Sequence, residues 1–239
     1  MRYNEIVPAI FKKRVNRFIA EVWLNGELER VHVKNTGRLK ELLLPEREVY
    51  LEIADNPNRK TKYSLIAVNR DGNLVNVDSQ AQNIAAFEAI QSGKIKEIGK
   101  PEFLKKEVTF QSSRFDLYFE DGDTKGFIEV KGVTLSKDGV AMFPDAPTSR
   151  GAKHIKELEK AVQAGYRALV LFIVQMKGNH VFTPNWEMDP AFSESLVQAA
   201  KSGVEVLAYD CQVQPDGFTV DRPLPVQLAE ADIIASKKQ

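Results

Sequence analysis

The sequence is short of the residues that build disulfides and Cys/His metal sites. It has a single cysteine, Cys211, and three histidines scattered along 239 residues. One cysteine cannot form a disulfide within the chain, and so few thiol and imidazole groups cannot assemble a Cys/His zinc site. Any catalytic metal ion is therefore expected to be held by carboxylates.

Long hydrophobic runs are also missing. The longest uninterrupted apolar stretch is residues 168–174, far shorter than the roughly 20 residues that a membrane-spanning helix needs. The first residues, MRYNEIVPAIF, lack the apolar core behind a basic start that marks a secretory signal peptide. We therefore expect a soluble, cytoplasmic protein with no membrane partner. Its oligomeric state stays open.

The chain has no excess of either charge, because 33 Lys+Arg balance 33 Asp+Glu. This balance argues against a protein that coats nucleic acid through charge alone. The distribution is uneven: residues 1–70 contain 14 basic and 9 acidic residues, which leaves 19 basic and 24 acidic residues in 71–239. A basic N-terminal part beside an acidic C-terminal part gives weak support to a phosphate-binding module attached to a cation-binding one.

The first 78 residues have the pattern of a small β-barrel. Short stretches of strand-forming residues are separated by turn signals, among which Asn25-Gly26 and Asp71-Gly72 are typical hairpin dipeptides. Five or six such strands, with one short helical piece at residues 38–44, suit a closed barrel of the OB type. We therefore predict an N-terminal OB-like domain over residues 1–78.

After residue 78 the pattern changes to helices interspersed with strands, which predicts an α/β (α+β) domain with a mixed sheet over residues 79–229. A polar tail is expected at residues 230–239. The predicted elements are helices at 82–92, 151–164 and 192–201, and strands at 108–119, 127–133, 168–174 and 204–209. The unbroken apolar character of residues 168–174 is typical of a strand covered on both faces.

Asp116, Glu129 and Lys131 form the candidate catalytic group. Strand alternation turns Asp116 away from the core side of its strand and puts Glu129 and Lys131 side by side on one face of the next. Carboxylates suit Mg²⁺ or Mn²⁺, which activates water for phosphodiester hydrolysis, and Lys131 is suited to orient or deprotonate that water. The triplet Glu129-Val130-Lys131 alone is also compatible with an ordinary solvated, charge-alternating strand face.

The predicted helix at 151–164 supplies further candidates. At about 100° per residue, Arg150, His154 and Glu157 fall on one flank beside the apolar stripe. That flank is placed to face the site, with His154 and Glu157 as catalytic candidates. Ordinary surface roles, such as a pair between Glu157 and Lys153, stay open for these residues.

Six segments, distributed over both halves of the chain, carry a family pattern. They are RFIAEV at 17–22, HVKNTGRLKELLLP at 32–45, SRFDLYFE at 113–120, GFIEVKGVTL at 126–135, FPDAPTSRGAKHIKEL at 143–158 and AGYRALVLFIVQM at 164–176. Together they resemble the sugar fermentation stimulation protein family (SfsA). The resemblance implies an N-terminal OB-like barrel followed by a nuclease-like domain of the PD-(D/E)XK class. Asp116 then matches the first acid of the class motif and Glu129-Val130-Lys131 its E-x-K element, while Phe115 stands where the class has proline.

The resemblance also implies site residues outside the motif. Many members of the class carry an acid on the helix before the first strand, which makes Glu88 a third candidate metal ligand or else a surface glutamate. Candidate DNA contacts lie in the barrel and at the start of the helix after the motif: Arg17, Lys34, Asn35, Thr36, Arg38, Thr148 and Arg150. The turn around residues 35–38 equally suits a simple closure of the barrel.

Two functions follow from the resemblance and the motif. The first is a Mg²⁺- or Mn²⁺-dependent DNA nuclease. The second is a non-catalytic DNA-binding regulator of sugar metabolism genes that has kept a nuclease fold. The intact Asp, Glu and Lys favour the nuclease, because a carboxylate pair without a metal would repel phosphate. RNA stays open as a ligand, since OB barrels bind both nucleic acids.

Overall fold

The computed structural model describes residues 1–35, 37–56 and 58–228. Thr36 and the tail predicted at 230–239 lie outside the described residues. The N-terminal strands are β1 (Ile6–Arg14), β2 (Ile19–Leu24), β3 (Glu27–Val33), β4 (Glu48–Ile53), β5 (Tyr63–Arg70) and β6 (Asn73–Asn76). They form one sheet in the order β3-β2-β1-β4-β5-β6.

An additional pairing closes this sheet into a barrel. His32 and Val33 of β3 pair in parallel with Ser64 and Leu65 of β5, while the other neighbours pair antiparallel. Closure removes the exposed edges, and the alternating inward residues fill the interior. The predicted OB-like barrel is confirmed. The short helical piece expected at residues 38–44 is wrong, because the chain there makes only turns.

The second part of the chain contains helices α1 (Ala81–Gln91), α2 (Ser149–Gln163) and α3 (Pro190–Lys201). Its strands are β7 (Phe103–Phe110), β8 (Ser113–Asp121), β9 (Thr124–Val133), β10 (Leu135–Lys137), β11 (Val140–Phe143), β12 (Arg167–Val174), β13 (Val181–Pro184), β14 (Glu205–Gln214) and β15 (Gly217–Leu224). Six of these strands form a sheet in the order β15-β14-β12-β9-β8-β7, in which β12 runs parallel to both neighbours and the other pairs are antiparallel. The predicted mixed sheet is confirmed.

Strand β12 is covered on both faces, as its apolar sequence predicts. Val170 and Phe172 belong to a core cluster shared with α2, whereas Leu171 and Ile173 belong to a second cluster shared with α1. Because successive side chains of a strand point to opposite faces, a central strand between two helical layers needs apolar residues throughout. All of β12 except Arg167 is buried.

A small sheet went unpredicted. Strands β10, β11 and β13 are three or four residues long, too short for alternation to be visible in the sequence. Strand β11 pairs antiparallel with β10 and parallel with β13, and it leads through residues 144–148 into α2. This sheet therefore positions the loop that precedes α2.

The barrel and the mixed-sheet domain meet through a buried polar network. Gln175, at the end of β12, donates from Nε2 to Asn76 Oδ1 at 2.7 Å and to the Asp78 carbonyl at 3.3 Å. Asn76 in turn donates to the Tyr3 hydroxyl at 2.8 Å. Buried amides that are satisfied across a junction hold the two parts in a defined arrangement. Among the described helices, none is long and apolar enough to cross a membrane.

Candidate functional site

Asp116 lies where the pairing between β8 and β9 ends. The backbone pairing of the two strands ends at Leu117 opposite Ile128. Beyond this pair, the Asp116 side chain accepts the hydrogen bond that a strand carbonyl would otherwise accept from β9. Its Oδ2 accepts from Val130 N at 2.8 Å, and its Oδ1 accepts from Asn83 Nδ2 of α1 at 2.8 Å. The carboxylate is therefore held by a strand on one side and a helix on the other.

Glu129 is 2% exposed and is shared by two cationic or hydrogen-bonding partners. Its Oε1 lies 2.5 Å from Lys131 Nζ and 2.5 Å from His154 Nδ1. Lys131 is its neighbour on the same face of β9, as strand alternation predicts. His154 comes from α2, so the helix flank inferred from its 3.6-residue period does bring His154 to the carboxylate.

The two carboxylates have opposite electrostatic environments. Burial, followed by the nearby charge of Glu129, raises the pKa of Asp116 above its ordinary value. Burial would also raise the pKa of Glu129, but the hydrogen bond from His154 and the charge and hydrogen bond of Lys131 outweigh it and lower that pKa. Glu129 is thus stabilised as an anion, whereas burial and the charge of Glu129 make the ionised form of Asp116 less favourable than it is in water.

Three buried side-chain oxygens at this place have no hydrogen-bond partner in the part of the chain that the structure describes: Glu129 Oε2, Asn83 Oδ1 and Gln82 Oε1. Buried polar atoms normally have a partner, and unpaired ones are costly. Among the described residues, no three side chains from His, Cys, Asp and Glu come together as a metal-binding group. The oxygen atoms available to bind a metal ion are those of the two carboxylates, Asp116 and Glu129, and of the two amides of α1, Gln82 and Asn83.

These groups line a cavity of about 640 Å³ between the barrel and the mixed-sheet domain. Asp116, Glu129 and Lys131 line it, together with Gln82 and Asn83 of α1. Gly132 follows directly on β9, and a Cβ at this position would overlap the Gln175 side chain, which also lines the cavity. The absence of a side chain at Gly132 therefore lets the interdomain network approach the carboxylates.

The structure does not bring Glu88 to this site. Glu88 Oε2 pairs with the amino group of Met1 at 2.6 Å, and the residue lines a different cavity beside Gly217 and Phe218. Asn83 lies five positions earlier on α1, which is about 140° around the helix from Glu88. The prediction of Glu88 as a ligand is therefore wrong for this arrangement, and Asn83 is the α1 residue that contacts Asp116.

Glu157 is also displaced from the cavity. It is buried, its Oε1 accepts from Lys160 at 2.7 Å, and it is not among the residues that line the space beside Glu129. The pair predicted with Lys153 is replaced by one with Lys160, three residues further along. His154 faces the site from one turn earlier on α2, so only this part of the predicted flank reaches the carboxylates.

The barrel residues proposed as DNA contacts divide into two groups. Arg17 and Asn35 line the cavity, and the side chain of Arg17 is exposed. Arg38 is exposed nearby, and its backbone amide donates to Asp145 Oδ2 at 2.9 Å. Lys34 is occupied instead by Glu52 at 2.8 Å and Asp78 at 3.3 Å, so it is sequestered within the protein.

Thr148 and Arg150 both line the cavity at the start of α2. Thr148 is the N-cap residue, and its hydroxyl accepts from Gly151 N at 3.1 Å. Arg150 is exposed, as is Arg114 at the start of β8, which also lines the cavity. Sequence reasoning missed Arg114 and Asn83; the signals available were the position of Arg114 two residues before Asp116 and that of Asn83 in the first turn of α1.

Comparison with known proteins covers both parts of the chain. The family model described as SfsA N-terminal OB domain matches residues 13–77, and the model described as sugar fermentation stimulation protein RE domain matches residues 80–217. A sugar fermentation stimulation protein homolog from Alkaliphilus oremlandii is 57% identical, covering 90% of this chain and 94% of its own length. One from Desulfitobacterium hafniense is 50% identical, covering 96% and 100%.

A solved structure is similar over almost the same extent. It is described as Pyrococcus furiosus SfsA in complex with Ca²⁺, and it is 32% identical in sequence, with a TM-score of 0.85. The match covers 95% of this chain and 98% of that one.

Proposed function

The chain belongs to the sugar fermentation stimulation protein family, and from this membership and the geometry of the cavity we propose that it is a Mg²⁺- or Mn²⁺-dependent DNA nuclease. The observation that carries the proposal is that the buried Glu129 Oε2 has no hydrogen-bond partner among the described residues and lies near a second carboxylate, Asp116. A buried anionic oxygen without a donor is suited to a cation.

The oxygen donors at the site fit a hard divalent cation. Asp116 and Glu129 would supply carboxylate oxygens. The side chains of Asn83 and Gln82 line the same cavity, and their amide oxygens have no partner within the described part of the chain. Mg²⁺ and Mn²⁺ prefer such ligands and keep several waters, so a cluster of three acids is not required. The similar Pyrococcus furiosus protein is described in complex with Ca²⁺, another oxygen-binding divalent cation. When bound, the ion would polarise the phosphate and lower the pKa of an attacking water.

Lys131 and His154 have distinct proposed roles. Lys131 lies on the cavity wall, where its ammonium would orient the attacking water and balance the charge that develops on the phosphate. His154 holds Glu129 Oε1 at 2.5 Å, which leaves Oε2 as the oxygen available to the cation. We assign His154 as a positioning residue.

Exposed cations at the mouth of the cavity would bind the DNA backbone. Arg17, Arg114 and Arg150 come from the barrel, the sheet and α2, and all three line the cavity. An OB domain in this family suggests nucleic-acid binding, and arginines on separate elements can hold successive phosphates of one strand. Their positive charge would also offset the repulsion between DNA and the two carboxylates.

The test is cleavage of labelled DNA and RNA by the purified protein with Mn²⁺, Mg²⁺ or EDTA, next to Glu129→Ala and Lys131→Ala. The proposal expects metal-dependent DNA cleavage that both substitutions abolish. Matched controls are Glu120→Ala and Lys125→Ala, an exposed pair on the same hairpin that should cut normally. Cleavage of RNA but not of DNA would contradict the proposal that DNA is the substrate.

The non-catalytic regulator is the other outcome of this experiment. A protein that shifts DNA but does not cut it with either metal, and whose Glu129→Ala variant binds equally well, would be a DNA-binding regulator. Titration calorimetry with Mn²⁺ separates the two independently of activity, since the nuclease requires a metal affinity that Glu129→Ala reduces by about tenfold or more.

A further inference from the structure

The cavity is bridged by interdomain contacts at two places along its wall. At one, Gln175 Nε2 joins the mixed-sheet domain to Asn76 of the barrel. At the other, Asp145 Oδ2 accepts from the backbone amide of Arg38 at 2.9 Å. We call this second contact the Arg38–Asp145 bridge. Since Gln175 and Asp145 both line the cavity that holds the carboxylates, the cavity lies between the two domains, and we call it the slot.

The Arg38–Asp145 bridge is closely packed. A Cβ added to Gly37 would overlap the carboxylate of Asp145, so the barrel turn and the loop before α2 touch without an intervening side chain. Arg14 supports the barrel side of the bridge, because its guanidinium donates to the carbonyl of Gly37 at 2.6 Å and to that of Arg38 at 2.9 Å. The turn is thereby fixed against the loop.

The reacting groups lie deep inside this slot. Glu129 is 2% exposed and lines the wall of this slot, so a phosphate has to enter the slot to reach its carboxylate. In a duplex each base is paired with a second strand, so a phosphate that enters the slot brings both strands to the barrel wall. A duplex resists bending, and the energy that bending costs has to be offset by new contacts, whereas a single strand is flexible.

The lining suits a strand whose bases are unpaired. Leu135, Met142 and Phe143 contribute half-buried apolar surface to the same cavity whose mouth carries Arg17, Arg114 and Arg150. A single strand offers both a backbone for the arginines and free base faces for apolar contact, whereas a duplex keeps its bases stacked inside.

On these grounds we propose that the substrate is a single DNA strand threaded between the barrel and the mixed-sheet domain, and that Asp145 determines this specificity by holding the slot closed against duplex. The inference rests on the proposed function for its chemistry. Its test does not, because selection between a single strand and a duplex can be measured by binding without cleavage.

The experiment compares fluorescence anisotropy of a labelled oligonucleotide of about 15 nucleotides, alone or annealed to its complement, in EDTA at one fixed salt concentration. We expect the single strand to bind about tenfold or more tightly than the duplex, and a duplex with a single-stranded tail to bind like the single strand. Equal affinities for the single strand and the blunt duplex would overturn the proposal.

Substitutions at Asp145 distinguish the effect of its hydrogen bond to Arg38 N from the effect of its negative charge. Asp145→Asn removes the negative charge but keeps an oxygen that can accept from Arg38 N, while Asp145→Ala removes both. We expect Asp145→Ala alone to reduce the preference for single strand by about threefold or more. Gly37→Ala should act like Asp145→Ala without changing any charge, because its methyl group forces the bridge apart. Identical preferences in wild type, Asp145→Ala and Gly37→Ala would show that the bridge does not determine specificity.

Failure of this inference is distinct from failure of the proposed function. If the protein binds a single strand selectively but shows no metal-dependent cleavage, the threaded single strand is supported and the proposed nuclease function is wrong. Internal cleavage of blunt duplex as fast as of single strand would support the nuclease and overturn the threaded strand.

Discussion

His154 Nδ1 lies 2.5 Å from Glu129 Oε1, and this contact joins α2 to β9 at the bottom of the interdomain cavity. Glu129 is buried, so its charge depends on His154 and Lys131 for stabilisation. The helix therefore supports the carboxylate that the proposed metal site requires.

Replacing His154 tests this support. His154→Ala should lower the free energy of unfolding by about 2 kcal/mol, because it removes a buried hydrogen bond to a charged group. His154→Gln keeps a donor and should lose less. Urea denaturation measures both, and His180→Ala, at an exposed histidine, serves as the control and should change stability little. An unchanged midpoint for His154→Ala would contradict the support of Glu129 by α2.

The opposite pKa shifts of the two carboxylates predict opposite effects of neutralising them. Asp116 has a raised pKa, so its ionised form costs stability at neutral pH, and this cost disappears as the pH falls through the raised value. Asp116→Asn in EDTA should therefore be more stable than the wild type by about 1 kcal/mol at pH 7. The new amide can also donate to Asn83 Oδ1, which has no partner in the described structure.

The ionised form of Glu129 has the opposite effect on stability. Its pKa is lowered, so its ionised form contributes stability that is present above the ordinary value of 4.5 and is lost as the pH falls through the lowered one. Glu129→Gln should be less stable than the wild type at pH 7, with the difference narrowing in acid. Thermal unfolding from pH 3 to 8 measures both variants, with the exposed Asp123→Asn as control. Shifts of the same sign for Asp116→Asn and Glu129→Gln would refute the opposed environments.

Arg14 holds the barrel turn at Gly37 and Arg38, which lies beside the proposed DNA contacts. Its guanidinium donates to five backbone carbonyls, those of Asn16, Arg17, Asn35, Gly37 and Arg38. A lysine has only three donors on one atom and cannot reproduce this set. Arg14→Lys should lower the free energy of unfolding by about 2 kcal/mol and weaken DNA binding, although Arg14 is not itself placed against DNA.

The control for this prediction is Arg2→Lys, at an exposed arginine whose ion pair with Asp216 is 3.6 Å long. Thermal unfolding and anisotropy measure the two effects. A variant Arg14→Lys with wild-type DNA affinity would mean that the order of the turn does not matter for binding.

The position of Arg114 at the mouth of the cavity leads to a prediction about the salt dependence of DNA binding. If it holds one phosphate at the mouth of the cavity, Arg114→Ala should reduce the slope of log K against log salt by about 0.7, the value for one contact to a single strand. Affinity should fall by a similar factor for all sequences. Anisotropy titrations between low and moderate salt measure the slope, and an unchanged slope would remove Arg114 from the interface.

Local patterns in the sequence were sufficient for much of the fold. Alternation put Glu129 and Lys131 on the face of β9 opposite Ile128 and Val130, and the continuous apolar residues of β12 predicted a strand between two layers. Each of these signals is contained within a few residues, so it can be read without knowing the rest of the structure.

The errors at the candidate site concern relationships between distant segments. Glu88 was a reasonable acid on the right helix, but the rotation of α1 against the sheet decides which of its faces reaches Asp116, and that face carries Asn83. Lys34 was a reasonable phosphate contact, but folding brings it to Glu52 and Asp78. Neither partner is visible from local pattern.

The sequence by itself determined the family, the two kinds of domain and the residue types of the candidate site, because strand and helix periods and the family motif are properties of short segments. Only the tertiary structure decided that the candidate site lies in a cavity between the two domains. That property comes from contacts such as Arg38–Asp145 and Asn76–Gln175, which join residues about a hundred positions apart. It depends on how the barrel and the mixed-sheet domain pack against each other, and no local preference of the chain encodes that packing.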